Sequence, residues 1–257
     1  MSLPDDVLDH ILSFLQSDFR ALKACSQSHP KFIRLIERHL YATVTLYDNN
    51  TIETRQFISL LSNNPHIANH IRSLEVEVTR DPIKSLQYLE DIASVLRMCS
   101  LLNKITLKQI TFGWAALPEA FRLAFLDCLR LSSMKAVCII YVSGFPLAAL
   151  RYAKNLKRLT LRGWTPDHDF IPEHSIHPSI EDLSIQDCKA VALEKVTTWV
   201  QAQNLRSFEC LGPCGTLGEV RQLQSLLSSC SNTLVNLNLD FGTACKSFYA
   251  NHLLKVI

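Results

Sequence analysis

Leu156-Lys157-Arg158-Leu159-Thr160-Leu161 sets apolar side chains at its first, fourth and sixth positions and polar ones between. The same six-residue pattern begins at Tyr41 (YATVTL), Ile71 (IRSLEV), Leu102 (LNKITL), Met134 (MKAVCI), Ile180 (IEDLSI), Leu205 (LRSFEC) and Leu234 (LVNLNL). A single copy is only a short amphipathic strand. Eight in series, 22 to 32 residues apart, are the signature of a repeat architecture. Helical patterns at 57–61, 83–96, 117–131, 191–200 and 217–227 lie between most copies. Each repeat is therefore a strand plus a helix, and the fold class is α/β. Parallel strands stack into a curved sheet with its concave face open, helices line the convex side, and the patterned apolar side chains fill the space between.

In such a stack the third, fifth and seventh positions point onto the concave face. The seventh gives the row Tyr47, Glu77, Lys108, Ile140, Arg162, Gln186, Leu211 and Asp240. Charges alternate along it and apolar residues interrupt it, which suits a protein or peptide partner better than a polyanion. Lys108, Ile140, Arg162, Gln186 and Leu211 are thus candidate contacts for a bound protein. Trp164 joins them, because tryptophan and arginine dominate interface energetics. Phe112, Trp114, Phe145 and Phe170 also lie in loops leaving the strands, and core packing is the commoner fate of such aromatics. Arg158 and Asp182, both at the third position of neighbouring repeats, are placed to form a lateral ion pair.

Ahead of the first repeat, residues 1–40 read as three short helices, at about 4–16, 19–27 and 30–40, with Ser28-His29-Pro30 as the break. In the first, Val7, Leu8, Ile11, Leu12, Phe14 and Leu15 fill a continuous arc of about 160°. Pro4, Asp5 and Asp6 suit its start, since proline fixes a helical φ and the carboxylates meet unsatisfied N–H groups. The second helix turns Phe19, Leu22, Ala24 and Cys25 inward, and the third carries Phe32, Ile33, Ile36 and Leu40 at helical spacing. Forty residues cannot hide this much apolar surface, so the unit leans on the repeats, a partner, or both. The first strand starts where the third helix ends, which predicts a rigid junction. At the other end, 246–257 reads as the helix of the eighth repeat and finishes on Leu253-Leu254-Lys255-Val256-Ile257. Without a polar cap there, either a truncated product or a partner covering that end is expected.

Composition narrows the function. Lysine plus arginine number 26 against 24 acidic residues, with no dense run of one sign, so neither nucleic acid nor a membrane surface is expected as a partner. Asp5, Asp6, Asp9 and His10 interrupt the first helix, so a signal peptide is not expected, and no apolar run approaches the roughly 20 residues of a membrane span. Nine scattered cysteines in such a chain read as reduced, mostly buried thiols. His168, His174 and His177 beside Asp167, Asp169 and Glu173 form the one metal-like cluster. It lacks the HExxH order, and Pro166, Pro172 and Pro178 break any helix there, so it reads as a polar loop with no metal. No GxSxG, GxGxxG or GxxxxGK[ST] motif is present; no cofactor and no enzymatic activity are expected.

Leu3-Pro4, the acidic turn, the helix VLDHILSFL, Asp18, a second helix ending ALKACS and the aromatic Phe32 together resemble the F-box motif over about forty residues. Phe32 stands where such motifs usually have tryptophan. The repeats resemble leucine-rich repeats of the irregular kind, without the usual asparagine after the strand. The resemblance implies an F-box module at 1–40 followed by a leucine-rich-repeat domain at 41–257. It implies a cytoplasmic or nuclear substrate receptor of a cullin-based ubiquitin ligase: the helices dock on a Skp-type adaptor and the repeats hold a protein substrate. Leu3, Pro4, Val7, Leu8, Ile11, Leu12 and Leu15 match the adaptor-facing motif, with Leu22 and Cys25 as supports. The alternative is a leucine-rich-repeat protein- or peptide-binding module without a ligase, the helices acting only as the cap of the solenoid.

Overall fold

The computed structural model describes residues 3–15, 18–48, 51–78, 82–110, 112–166, 178–188, 190–212 and 217–240. Three helices come first: α1 (Asp5–Ser13), α2 (Phe19–Ser28) and α3 (Pro30–Leu40). Eight five-residue strands follow, β1 (Thr43–Tyr47), β2 (Ser73–Glu77), β3 (Lys104–Lys108), β4 (Ala136–Ile140), β5 (Arg158–Arg162), β6 (Asp182–Gln186), β7 (Ser207–Leu211) and β8 (Asn236–Asp240). They form one sheet in sequential order, every neighbouring pair parallel. The sheet is not closed and is compatible with a solenoid. The helices α4 (Thr51–Asn63), α5 (Pro82–Met98), α6 (Glu119–Leu129), α7 (Ala190–Trp199) and α8 (Leu217–Cys230) lie in the connections. The fourth and fifth copies of the pattern are only 22 residues apart, and there a 3-10 helix, Leu147–Tyr152, takes the place of an α-helix.

Register is carried through without a slip. Tyr47 pairs with Glu77, Glu77 with Lys108, and so on through Ile140, Arg162, Gln186 and Leu211 to Asp240, so the seventh positions form one straight row. Backbone bonds at both ends of the strands hold it. At the leading edge one carbonyl accepts two N–H groups from the next repeat: Ala42 O from Arg72 and Ser73, Lys135 O from Lys157 and Arg158, all at 2.9 Å. At the trailing edge the residue after the strand turns into the left-handed region, at Gln109 (φ 57°), Tyr141 (53°), Gly163 (56°), Asp187 (51°) and Gly212 (125°). That turn aims its N–H at the last carbonyl of the next strand, as from Gly163 to Gln186 O at 2.8 Å. Few side chains tolerate this backbone, so a row of such residues marks a position the repeat itself imposes.

The side chains of the first, fourth and sixth positions bury between sheet and helices, Ile71, Leu74 and Val76 of the second repeat being fully buried. The loop aromatics join them. Trp114, Phe125 and Phe145 pack edge to face with ring centroids 5.0 to 5.9 Å apart. Trp164, expected as a surface anchor, is 1% exposed, and its Nε1 donates to the Phe145 carbonyl at 3.1 Å. It is therefore a core residue, because the left-handed Gly163 just before it turns the chain inward. The expected pair between Arg158 and Asp182 is absent among the described residues. One position earlier Lys157 and Glu181 pair instead at 2.7 Å.

Helix α3 organises the N-terminal unit, packing against both α1 and α2. Leu12, Leu22, Leu35 and Ile36 form its buried centre, with Leu8, Leu15, Cys25, Phe32 and Leu40 half-buried around them. Phe19 and Ala24 are exposed rather than inward. Phe19 opens α2 directly after its cap, where Asp18 Oδ1 accepts the Ala21 N–H at 2.9 Å, and so falls outside the face turned to α3. His39 Nε2, on a nearly buried side chain, meets Asp9 Oδ1 at 3.0 Å and ties α3 to α1. Glu37 faces His66 at 3.6 Å in the 3-10 helix Pro65–His70, tying α3 to the repeats. Only two residues separate α3 from β1. His168, His174, His177 and Phe170, and the segment 246–257, lie outside the described residues.

Candidate docking surfaces

The apolar arc of α1 divides into an inner and an outer part. Leu12 (3% exposed), and Leu22 of α2 (1%), belong to the core of the helical unit and are not available to a partner. Leu12 had been expected to face the adaptor, with Leu22 as a support of that surface. The correction follows from geometry: Leu12 lies on the side of α1 that α3 covers, and Leu22 turns to α3 from the other side. Leu8, Leu15 and Cys25 are half-buried supports. Leu3, Val7, Ile11 and Phe14, spaced three or four residues apart, form one exposed stripe, with Ile11 at 47% and Phe14 at 74%. Pro4 is exposed at its head, and Phe14 leans on the His10 ring at 5.0 Å. Exposed aliphatic side chains in line on one helix are the signature of an interaction face rather than scattered surface apolarity.

The strand face away from the helices carries the second surface. Lys108 Nζ lies 2.9 Å from Glu75 Oε1 and 3.4 Å from Glu77 Oε2, and the hydrogen bond to Glu75 holds its pKa above the ordinary lysine value. Its charge is therefore largely matched within the sheet. Arg162 Nε donates to Asp187 Oδ2 at 3.0 Å, and its guanidinium lies 5.5 Å from the Tyr141 ring centre. Tyr141 Oη donates to the same Asp187 oxygen at 3.2 Å. Tyr141, Arg162 and Asp187 thus form one exposed cluster across three repeats. Sequence reasoning found Arg162 alone; the position immediately after the strand, where Tyr141 and Asp187 both sit, was the unused signal.

Further along, Glu209 accepts from Ser184 Oγ (2.6 Å), Gln186 Nε2 (2.7 Å) and Asn238 Nδ2 (2.9 Å). The bond from Ser184, then those from Gln186 and Asn238, hold its carboxyl below the usual glutamate range. Beside it lies a depression of about 240 Å³ lined by Arg158, Asp182, Ser184, Glu209, Asn236 and Asn238. Ile140 and Leu211 are half-exposed in the seventh-position row, and Gln186 is held by Glu209. The row thus brings the candidate contacts Lys108, Ile140, Arg162, Gln186 and Leu211 onto one face, and Trp164 stands apart from them in the core.

Among the described residues no group of three His, Cys, Asp or Glu side chains is placed to hold a metal ion. Nor is any helix there long and apolar enough to cross a membrane.

Residues 1–80 match the family model described as the COS11 F-box domain, a span that continues past α3 through β1 and α4 to the end of β2. No curated protein matches the chain. An F-box domain points to a substrate-adaptor role in an SCF ubiquitin ligase and implies a Skp-type adaptor as partner. Residues 1–80 are thus similar to an F-box domain, which supports an F-box protein, and the parallel-strand sheet that continues beyond the matched region is compatible with a leucine-rich-repeat-like domain.

Proposed function

We propose that the chain is the substrate receptor of a cullin-based ubiquitin ligase, its α1 stripe docking on the Skp-type adaptor and its repeat face holding a protein substrate. The observation that carries the reading is the stripe Leu3, Val7, Ile11 and Phe14, left exposed while Leu12 is buried, and Leu8 and Leu15 half-buried, in the core of the same unit. Burying one such side chain contributes on the order of 1.5 to 3 kcal/mol before the costs of association, so three or four support stable docking. The chain performs no chemistry itself. Its effect is proximity: a substrate held near a ubiquitin-charged enzyme reacts as if the encounter were intramolecular. On this reading it acts in the cytoplasm or nucleus, without cofactor or metal.

Co-purification with a Skp-type adaptor tests the docking. Val7→Asp/Ile11→Asp, at exposed positions, abolishes capture while the circular dichroism spectrum and melting temperature stay those of the parent chain. Capture retained by this variant would overturn the docking surface.

A further inference from the structure

Part of the leading edge of the sheet is basic. Four leading-edge segments, 64–73, 98–104, 129–136 and 151–158, bring eight lysines and arginines and no aspartate or glutamate, in a chain with 26 cations and 24 acids. Some of these cations are engaged: Arg130 pairs with Asp127 at 2.6 Å, Lys157 with Glu181 at 2.7 Å, and Arg72 Nη1 donates to the Asn69 carbonyl at 2.6 Å. Lys104, Lys135, Lys154 and Arg158 form no salt bridge among the described residues, and the last three are exposed. The trailing edge is the opposite. Its cations Lys108 and Arg162 are matched by Glu75, Glu77 and Asp187.

Register makes the free cations neighbours. Lys104 pairs with Ala136 and Ala136 with Arg158, so Lys104 and Arg158 are two strands apart, about 10 Å, with Lys135 next to Ala136 between them. That spacing is close to one screening length in physiological salt, so their potentials add rather than act separately. Glu181 and Asp182 end the basic run on one side, at the next strand. A short acidic segment fits the basic run short of that limit, whereas a continuous polyanion running on along the edge meets both carboxylates.

We propose that the leading edge of β3 to β5, centred on Lys135 and Arg158, is the docking surface for an acidic segment of the protein substrate. This deepens the proposed function and rests on it for the word substrate; the surface itself is tested independently. Fluorescence anisotropy of a labelled octaglutamate peptide with the full chain reads it directly, against octalysine and a 16-base-pair DNA duplex. Octaglutamate binds at low salt, octalysine does not, and Lys135→Glu/Arg158→Glu weakens octaglutamate at least tenfold. Arg55→Glu/Arg221→Glu, the same charge change at exposed positions on α4 and α8, leaves it within twofold. Absence of octaglutamate binding, equal loss in both variants, or tighter binding of the duplex would each overturn the proposal. Adaptor capture measured on the same proteins separates the two readings, because the α1 stripe is untouched by either variant.

Discussion

The Tyr141 ring lies over the α-carbon of Gly163, so close that a methyl group there would overlap its Cδ1 and Cε1 atoms. Both residues follow their strands in the left-handed conformation, and the ring reaches across the intervening repeat to Asp187. Gly163→Ala therefore meets two penalties, a backbone cost of about 1 to 2 kcal/mol and displacement of Tyr141. Urea unfolding of Gly163→Ala, Tyr141→Ala and the double variant separates them. We expect the alanine at 163 to cost less when Tyr141 is already gone, with the backbone part remaining.

Adjacent residues of α1 should behave oppositely. Leu12→Ala removes a side chain from the centre of the helical unit and lowers the unfolding free energy by about 2 to 5 kcal/mol. Ile11→Ala, on the exposed stripe, stays within about 1 kcal/mol of the parent in stability. Adaptor affinity, read by titration calorimetry, falls more for Ile11→Ala than its small stability change would suggest.

Stability depends on pH through His70, at the junction of α3 and the repeats. Burial is the main cause of its depressed pKa; Glu37 opposes the shift, while Arg38, His66 and Arg72 add to it. The folded state thus binds this proton less readily than the unfolded chain, whose value is near 6.5. Its contribution is present above pH 6.5 and is lost as the pH falls through the folded-state pKa. Thermal melts from pH 7.5 to 5 should fall less steeply for His70→Gln than for the parent chain.

Two thiols should resist alkylation. Burial pushes Cys99 and Cys128 up to about 12, so at pH 8 almost no thiolate is present and the reagent has no access. Iodoacetamide followed by peptide mass mapping leaves both unmodified in native protein and labels both in 8 M urea, a standard denaturing concentration at several times the usual midpoint.

Much of this fold was legible because the repeat writes the same constraint eight times. Each apolar triplet predicted its strand, and the seventh-position row emerged as the observed register, since a one-residue slip anywhere would have turned core residues outward. The α1 arc was visible too, but its division was not. Periodicity tells which residues share a face; which part of that face α3 covers depends on tertiary packing, so Leu12 and Ile11 looked equivalent. Trp164 was misread for a related reason. Its side-chain direction is set by the left-handed turn at Gly163, which the triplet pattern stops short of. Likewise Arg158 and Asp182 stand side by side in register yet leave the pairing to Lys157 and Glu181, a choice of rotamer and edge geometry that spacing alone does not encode.

Because every strand sits level with the last, distance from the helical unit is counted rather than shaped. Each repeat moves its surface residues about 4.8 Å farther from β1, whatever the length of the helix behind it. Adding or removing one whole repeat would leave each row straight and each neighbour pair intact, while shifting everything downstream by one such step. The sheet is in this sense a graduated arm: the number of strands between α3 and a bound segment sets how far that segment is held from whatever α1 grips.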